Sequence, residues 1–260
     1  MFLALPFGLA IGLVVGSVGG GGAILALPIL VYILGEGVSP ASTASLIVVA
    51  IAASAGAGSQ ALDRKVCWRI ALTFSAPAAV GAYVGTTASG AVSPRGLILA
   101  FVPVMLAAAV LTWLRSEAAE SDEGGEAPDC PSSDPTRVLL AGLGVGAMTG
   151  FFGVGGGFLI VPALTALIGL GLRRSIATSL VIITLTGVVA LLSHLTAGAE
   201  PDWPLTAVLC GAAAVGALVG TSIGRRLPTR VLARSFGVVV ALVALLLLVD
   251  VLLLGGPPVG

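Results

Sequence analysis

The chain contains a copy of itself, and that duplication limits its fold more than any other feature. The string GLVVGSVGGGGAILALPIL, from Gly12, aligns with GAMTGFFGVGGGFLIVPAL, from Gly146. Gly16 meets Gly150, Gly19 meets Gly153, Gly21 meets Gly155, Gly22 meets Gly156 and Pro28 meets Pro162. The register continues without a gap: Gly37 falls on Gly171, Ser45 on Ser179, Leu46 on Leu180 and Gln60 on His194. After one residue of slippage Trp68 meets Trp203, and AVGAYVGT from Ala79 meets AVGALVGT from Ala214. The N-terminal segment has an internal copy and no basic n-region, so it is expected to belong to the fold and not to act as a signal peptide. Between the copies, residues 115–137 are acidic and rich in Gly, Pro and Ser; such a stretch cannot bury a core and reads as a solvated linker. The division is therefore repeat 1 over 1–114, linker over 115–137 and repeat 2 over 138–260.

Composition settles the solvent. With 57% hydrophobic and only 9% charged residues, and a mean hydropathy of +1.14, the chain belongs in lipid. Several apolar runs approach about 20 residues, the helical length that spans hydrocarbon. The alternation expected of a porin-type barrel is absent. Formal net charge is zero, which leaves no electrostatic footprint for nucleic acid. Cys67, Cys130 and Cys210 lie far apart without a C-x-x-C, so they suggest neither a metal site nor a disulfide framework and read as bystanders. No cofactor motif is present.

The expected fold is an all-α polytopic membrane protein of two inverted-topology repeats, each a re-entrant Gly-rich helical hairpin followed by three transmembrane helices. In repeat 1 the hairpin arms fall at about 3–18 and 23–34 and the long helices at about 41–61, 68–89 and 95–114. In repeat 2 the arms fall at about 138–152 and 157–169 and the long helices at about 175–197, 203–223 and 229–254. Inversion is read from charge, because short loops rich in Lys and Arg stay in the cytoplasm. The loop between the first two long helices carries Arg64, Lys65 and Arg69 in repeat 1, but only Glu200 and Asp202 in repeat 2. Conversely, repeat 2 places Arg173 and Arg174 before its first long helix and Arg225, Arg226, Arg230 and Arg234 between its last two, where repeat 1 has Glu36 and Arg95. Opposite bias in homologous loops requires an odd number of crossings per repeat, so each short pair must begin and end on one side, as a re-entrant hairpin or as two thin crossings. A second arm of roughly 12–14 residues reaches only about 20 Å, which favours the hairpin. The N- and C-termini are expected outside the cell membrane and the linker in the cytoplasm.

Gly19–Gly22 and Gly153–Gly157 break the helical pattern at the hairpin tips, where unwound backbone must face protein or water. Free N–H groups at the start of a helix attract anions. The candidate substrate-binding set is therefore Gly20, Gly21, Gly22 and Ala23 with Val154, Gly155, Gly156 and Gly157, joined by the hydroxyls of Ser45, Thr178 and Ser179. The competing reading of those hydroxyls is bonding to their own helix carbonyls. Gln60 and His194, symmetry mates near the far ends of their helices, are candidates for a proton or gating role. The scattered glycines Gly81, Gly85, Gly216 and Gly220 read as close helix packing. Apart from Asp250, the spans hold no charge away from their ends, which argues against a cation path and for an anion.

The expected partners are a small anionic substrate, membrane lipid and a coupling proton or ion. Secondary transport by alternating access is the leading reading, and an anion channel of the same fold is the alternative. An intramembrane hydrolase using Ser17 and His194 is disfavoured, because a duplicated Gly motif with no second serine is better explained by symmetry than by catalysis. No enzyme activity is expected.

The duplicated G-x-x-x-G-x-x-G-x-G-G string followed by Pro, together with ATSL at 177–180, resembles the TauE/SafE family of sulfite-exporter-like permeases over nearly the whole chain. The resemblance implies a multi-pass plasma-membrane transporter of sulfur-containing or organic anions, such as sulfite or sulfonates, driven by an ion gradient. Repeat 1 departs from the pattern in carrying TASL at 43–46 and Ala23 where repeat 2 has Gly157.

Overall fold

Apolar chain in lipid must satisfy its backbone internally, and helices do so within one segment. The computed structural model describes residues 4–63, 65–89, 94–118, 130, 134–152, 157–196 and 201–249, and all regular structure among them is helical. Repeat 1 contributes α1 (Ala4–Val18), α2 (Gly21–Pro28) with a π-helical turn at Ile29–Ile33, α3 (Val38–Leu62), α4 (Trp68–Ser89) and α5 (Pro94–Ala118). Repeat 2 contributes α6 (Pro135–Phe152), α7 (Gly157–Ala166), α8 (Leu172–Thr196), α9 (Trp203–Arg226) and α10 (Thr229–Val249). Expectations placed on Arg64, Gly153, Val154, Gly155, Gly156, Glu200 and Asp250 fall outside the described residues, and of His194 the backbone alone is described.

Among the described residues six helices are long and apolar enough to cross a membrane: Pro40–Leu62, Trp68–Ala88, Pro135–Phe152, Leu172–Leu192, Trp203–Arg226 and Thr229–Val249. Five of these match expected long helices. The sixth is α6, which the sequence pattern assigned to a short arm; it is lengthened by an N-terminal turn beginning at Pro135, a residue suited to the first helical position. The remaining expected span, α5, has Leu99–Leu114 as its apolar stretch. Large apolar side chains point outward along these helices, including Leu72, Val80 and Tyr83 on α4, Val188, Val189 and Leu192 on α8, and Leu242, Leu245 and Leu246 on α10. In water such a surface would drive aggregation, whereas in lipid it matches the solvent.

The second arms end alike. After α2, Gly35 adopts φ +73° and Glu36 N–H donates to Leu30 O at 3.0 Å; after α7, Gly169 adopts φ +78° and Leu170 N–H donates to Leu164 O at 3.0 Å. Both are left-handed glycine closures that satisfy a helix's last carbonyls. The next helices also begin alike, with Ala41 N–H donating to Gly37 O and Ser175 N–H to Gly171 O, each at 2.9 Å.

Packing exchanges partners between the repeats. α1 lies against α9 and α6 lies against α4. A Cβ on Gly12 or Gly16 of α1 would run into the backbone of Ala213 or Ala217, and a Cβ on Gly146 or Gly150 of α6 into that of Ala78 or Ala82. The facing glycines act reciprocally: Gly216 and Gly220 abut the backbone of Leu9 and Leu13, while Gly81 and Gly85 abut that of Leu143 and Ala147. These scattered glycines therefore bring backbones together, as small residues at fourfold spacing do where no hydrophobic force separates helix from lipid. Numbers rise together along each pair, so α1 runs parallel to α9, and α6 to α4. α3 packs on α8 and α5 on α10, where the Arg234 guanidinium lies 5.5 Å from the Trp113 ring centre.

Candidate functional site

The chain turns between α1 and α2 where a glycine permits it. Gly19 takes φ +85°, a conformation that side chains disfavour, and α2 then folds back so closely that a Cβ on Gly22 would lie 2.7 Å from Ile11 O. At this turn the two tips meet. A Cβ on Gly20 would overlap the carbonyl group of Gly157, and a Cβ on Gly157 would stand 3.0 Å from Gly20 Cα. Gly21 faces Phe236 of α10, whose ring edge would be 3.2 Å from an added Cβ. The structure thus brings Gly20 against Gly157, while Gly21 faces α10 and Gly22 turns to α1.

Of the three candidate hydroxyls, Ser179 is closest to this junction: a Cβ at Gly19 would lie 2.7 Å from its Oγ. Ser179 is fully buried and donates to Ile176 O at 2.8 Å, and Ser45 donates to Ser42 O at 2.8 Å. Both hydroxyl protons are thereby spent on their own helices, leaving oxygen lone pairs free. Thr178 turns elsewhere, its Oγ1 accepting from Cys67 N–H of the α3–α4 turn at 3.2 Å.

Cys67 corrects one expectation. It forms a disulfide with Cys130 of the linker, with Cα atoms 5.8 Å apart, so two of the three cysteines are not bystanders. Distance along the chain had argued against pairing, but the linker returns to the α3–α4 turn. Cys210 is free and buried in α9.

A polar cavity opens beside the first tip, lined by Ser17, Gln60, Lys65, Arg173, Ile176, Gly224, Arg225 and Leu232. Five element ends converge there: the end of α1, the end of α3 and the starts of α8 and α10 with the end of α9. Arg173 donates through Nη1 to Gly224 O and Arg225 O at 3.3 Å and through Nη2 to Leu227 O at 2.6 Å, so its guanidinium caps the carbonyl end of α9. Arg225 reaches α3, pairing with Asp63 at 2.7 Å and bonding Ser59 Oγ. Lys65 lies 3.6 Å from the same Asp63 carboxylate. Ser17 donates to Leu13 O at 2.7 Å. His194 sits near the opposite end of α8 from Arg173 and Ile176, roughly 27 Å away at 1.5 Å per residue. Ser17 and His194 are therefore not brought together as a catalytic pair.

Comparison with known proteins places this architecture. The family model for the sulfite exporter TauE/SafE matches residues 4–247. The chain belongs to the TauE/SafE family. Two proteins from Xylella fastidiosa, each described as "Probable membrane transporter protein", are 30% identical (strain 9a5c) and 31% identical (strain Temecula1 / ATCC 700964) to it, with 90% of both chains covered in each case. "Probable membrane transporter protein YdhB" of Bacillus subtilis is 26% identical over 92% of this chain and 96% of its own. No solved structure matches the chain.

Within this TauE/SafE chain, sequence reasoning put its candidate site at the tip glycines and did not single out the cationic cavity. Lys65, Arg173 and Arg225 were read for topology alone, and Ser17 only as a disfavoured nucleophile. The available signal was that the basic loops belong to the side approached by the first hairpin tip.

Proposed function

We propose that this TauE/SafE chain is a multi-pass secondary transporter of small anions in the cell membrane. Its preferred substrates are sulfur-containing anions such as sulfite or sulfonates, driven by an ion gradient and moved by alternating access. The observation that carries this reading is the contact of Gly20 with Gly157, where two helix starts from different repeats meet beside the Ser179 hydroxyl. Helix starts carry unpaired N–H groups and the positive end of the dipole, and paired broken helices are the usual substrate site of inverted-repeat transporters. The substrate site comprises Gly20, Gly21, Gly22 and Ala23 with Val154, Gly155, Gly156 and Gly157, bordered by Ser45, Thr178 and Ser179. Gln60 and His194, each near the C-terminal end of its helix, serve a proton or gating role.

Inversion of the repeats is supported by the parallel runs of α1 with α9 and α6 with α4. α9 ends where α3 ends, at the Arg225–Asp63 pair, whereas α4 starts there. The first hairpin accordingly descends toward this level and the second rises from it. Lys65, Arg69, Arg173, Arg174, Arg225 and Arg226 share that level, which makes it the cytoplasmic side and leaves both termini outside.

The test is flux of sulfite and methanesulfonate into proteoliposomes under imposed ion gradients. Saturable uptake is expected, falling at least about tenfold in Gly21→Leu, whose side chain would fill the junction against Phe236, while folded protein persists. Uptake unchanged by that substitution removes the tips from the mechanism.

A further inference from the structure

Of the two sulfurs in the Cys67–Cys130 bond, one is sealed in the protein and the other is accessible. Cys67 is 1% exposed in the α3–α4 turn, whereas Cys130, ahead of α6, is exposed. A cation stands beside both: Nη1 of Arg174, in the first turn of α8, lies 3.3 Å from Cys130 Sγ and 3.9 Å from Cys67 Sγ. A disulfide is uncharged and offers a guanidinium little, but a thiolate released from it is an anion in contact with that charge. An accessible sulfur, a partner cysteine and an adjacent Arg are the features of a pair that opens and closes.

We propose that Cys67 and Cys130 form a thiol–disulfide switch that exchanges with small thiols through Cys130 and slows transport when closed. It rests on the transporter reading above and on the placement of the α3–α4 turn in the cytoplasm, where lasting disulfides are rare and those that form are mostly redox-sensing. In opening, the thiolate of a small thiol RSH attacks Cys130 Sγ, the S–S bond breaks, and Cys67 leaves as a thiolate beside Arg174 and takes up a proton. A second RSH attacks the mixed disulfide and releases the Cys130 thiol with RSSR. Two RSH are thus oxidised as the bond is reduced, and RSSR is the oxidant when the pair closes. The switch has a short path to the hairpin junction. Cys67 N–H donates to Thr178 Oγ1 at 3.2 Å, and the next residue, Ser179, borders Gly19. The closed bond also ties the chain entering α6 of repeat 2 to the chain entering α4 of repeat 1, beside the start of α8. Alternating access moves one repeat against the other, so a staple across them restrains it.

The chemistry is read on purified full-length protein equilibrated with glutathione at reduced-to-oxidised ratios spanning the cytosolic poise, then acid-quenched, alkylated and weighed peptide by peptide. The pair should pass between bonded and reduced forms, with glutathione trapped on Cys130 and not on Cys67. Arg174→Gln should slow opening roughly tenfold, and Arg174→Lys, which keeps the charge, should restore most of the rate. A bond that resists reduced glutathione, or that opens as fast in Arg174→Gln, would overturn the switch. In proteoliposomes, dithiothreitol should raise methanesulfonate uptake at least about fivefold. Cys130→Ser and Cys67→Ser should show the raised rate with or without it, either variant sufficing if the other does not fold. Uptake indifferent to the reductant also overturns the proposal, whereas uptake absent from both forms with exchange intact sinks the transporter reading and the regulatory effect together.

Discussion

Alanine at Gly20 tests the meeting of the hairpins more sharply than any other single change. Gly20 has φ −69° and ψ −6°, a conformation open to alanine, so the backbone itself imposes no penalty. The penalty is steric: the new Cβ would overlap the O, C and Cα atoms of Gly157, all backbone and unable to rotate away. Relief requires α2 and α7 to separate, and forced backbone displacement of this kind costs about 1–3 kcal/mol, here toward the upper end. The reverse substitution is mild. A Cβ on Gly157 would stand 3.0 Å from Gly20 Cα, 3.1 Å from Gly20 O and 3.1 Å from Ile183 Cδ1, so neighbours need give only a few tenths of an ångström. That strain is offset by the roughly 0.5–1 kcal/mol by which alanine is favoured over glycine in a helix. In detergent, Gly20→Ala should therefore melt about 5–10 °C lower than the unaltered protein, with Gly157→Ala close to it. Gly58→Ala, inside α3 with nothing within 4 Å of its Cβ, serves as the unhindered control and should melt at or slightly above the unaltered protein. Were Gly20→Ala to melt with Gly157→Ala and the control, the tips would not be in contact and the junction would be lost as a substrate site.

Two further outcomes follow. Arg173→Ala should destabilise the fold by about 1–3 kcal/mol in denaturant titration, because the carbonyls of Gly224, Arg225 and Leu227 lose their cap; Arg173→Lys, which lacks the planar fork, should recover only part of it. Peptide mapping of purified, air-oxidised protein should find Cys67 joined to Cys130 and Cys210 free, and full alkylation of Cys67 without reductant would contradict the pairing. The same mapping after alkylation in intact cells reports sidedness, since a cytoplasmic linker would keep this pair reduced.

The fold was legible wherever information is local or repeated. The matches of Gly16 with Gly150 and Gly37 with Gly171 anticipated equivalent helix contacts and equivalent starts of α3 and α8, whereas the left-handed closures at Gly35 and Gly169 were not singled out. The small residues at Gly81, Gly85, Gly216 and Gly220 announced close packing, since nothing but backbone fits against them. Their partners were not legible: a G-x-x-x-G face does not say which helix it meets, and the exchange of α1 and α6 between repeats emerges only in three dimensions. α6 was read as short because its start lies in a polar boundary where Pro135 and Arg137 mask the helix. The cavity eluded the sequence for a related reason. Gln60, Lys65, Arg173 and Arg225 come from three separate regions, and only convergence of the α3, α8 and α9 ends brings these topology markers together in one cavity wall. The Cys67–Cys130 bond likewise depends on where the linker returns.

The exchanged first helices have a consequence for how the protein is made. α1 leaves the ribosome early, yet the surface into which its glycines fit belongs to α9, near the end of translation. Until then its narrow face has only lipid for company, so repeat 1 released alone would be an incomplete object with an open seam between α1 and the rest. Two separately synthesised halves, co-expressed in one membrane, have every reason to find each other, each supplying the missing stave of the other's barrel.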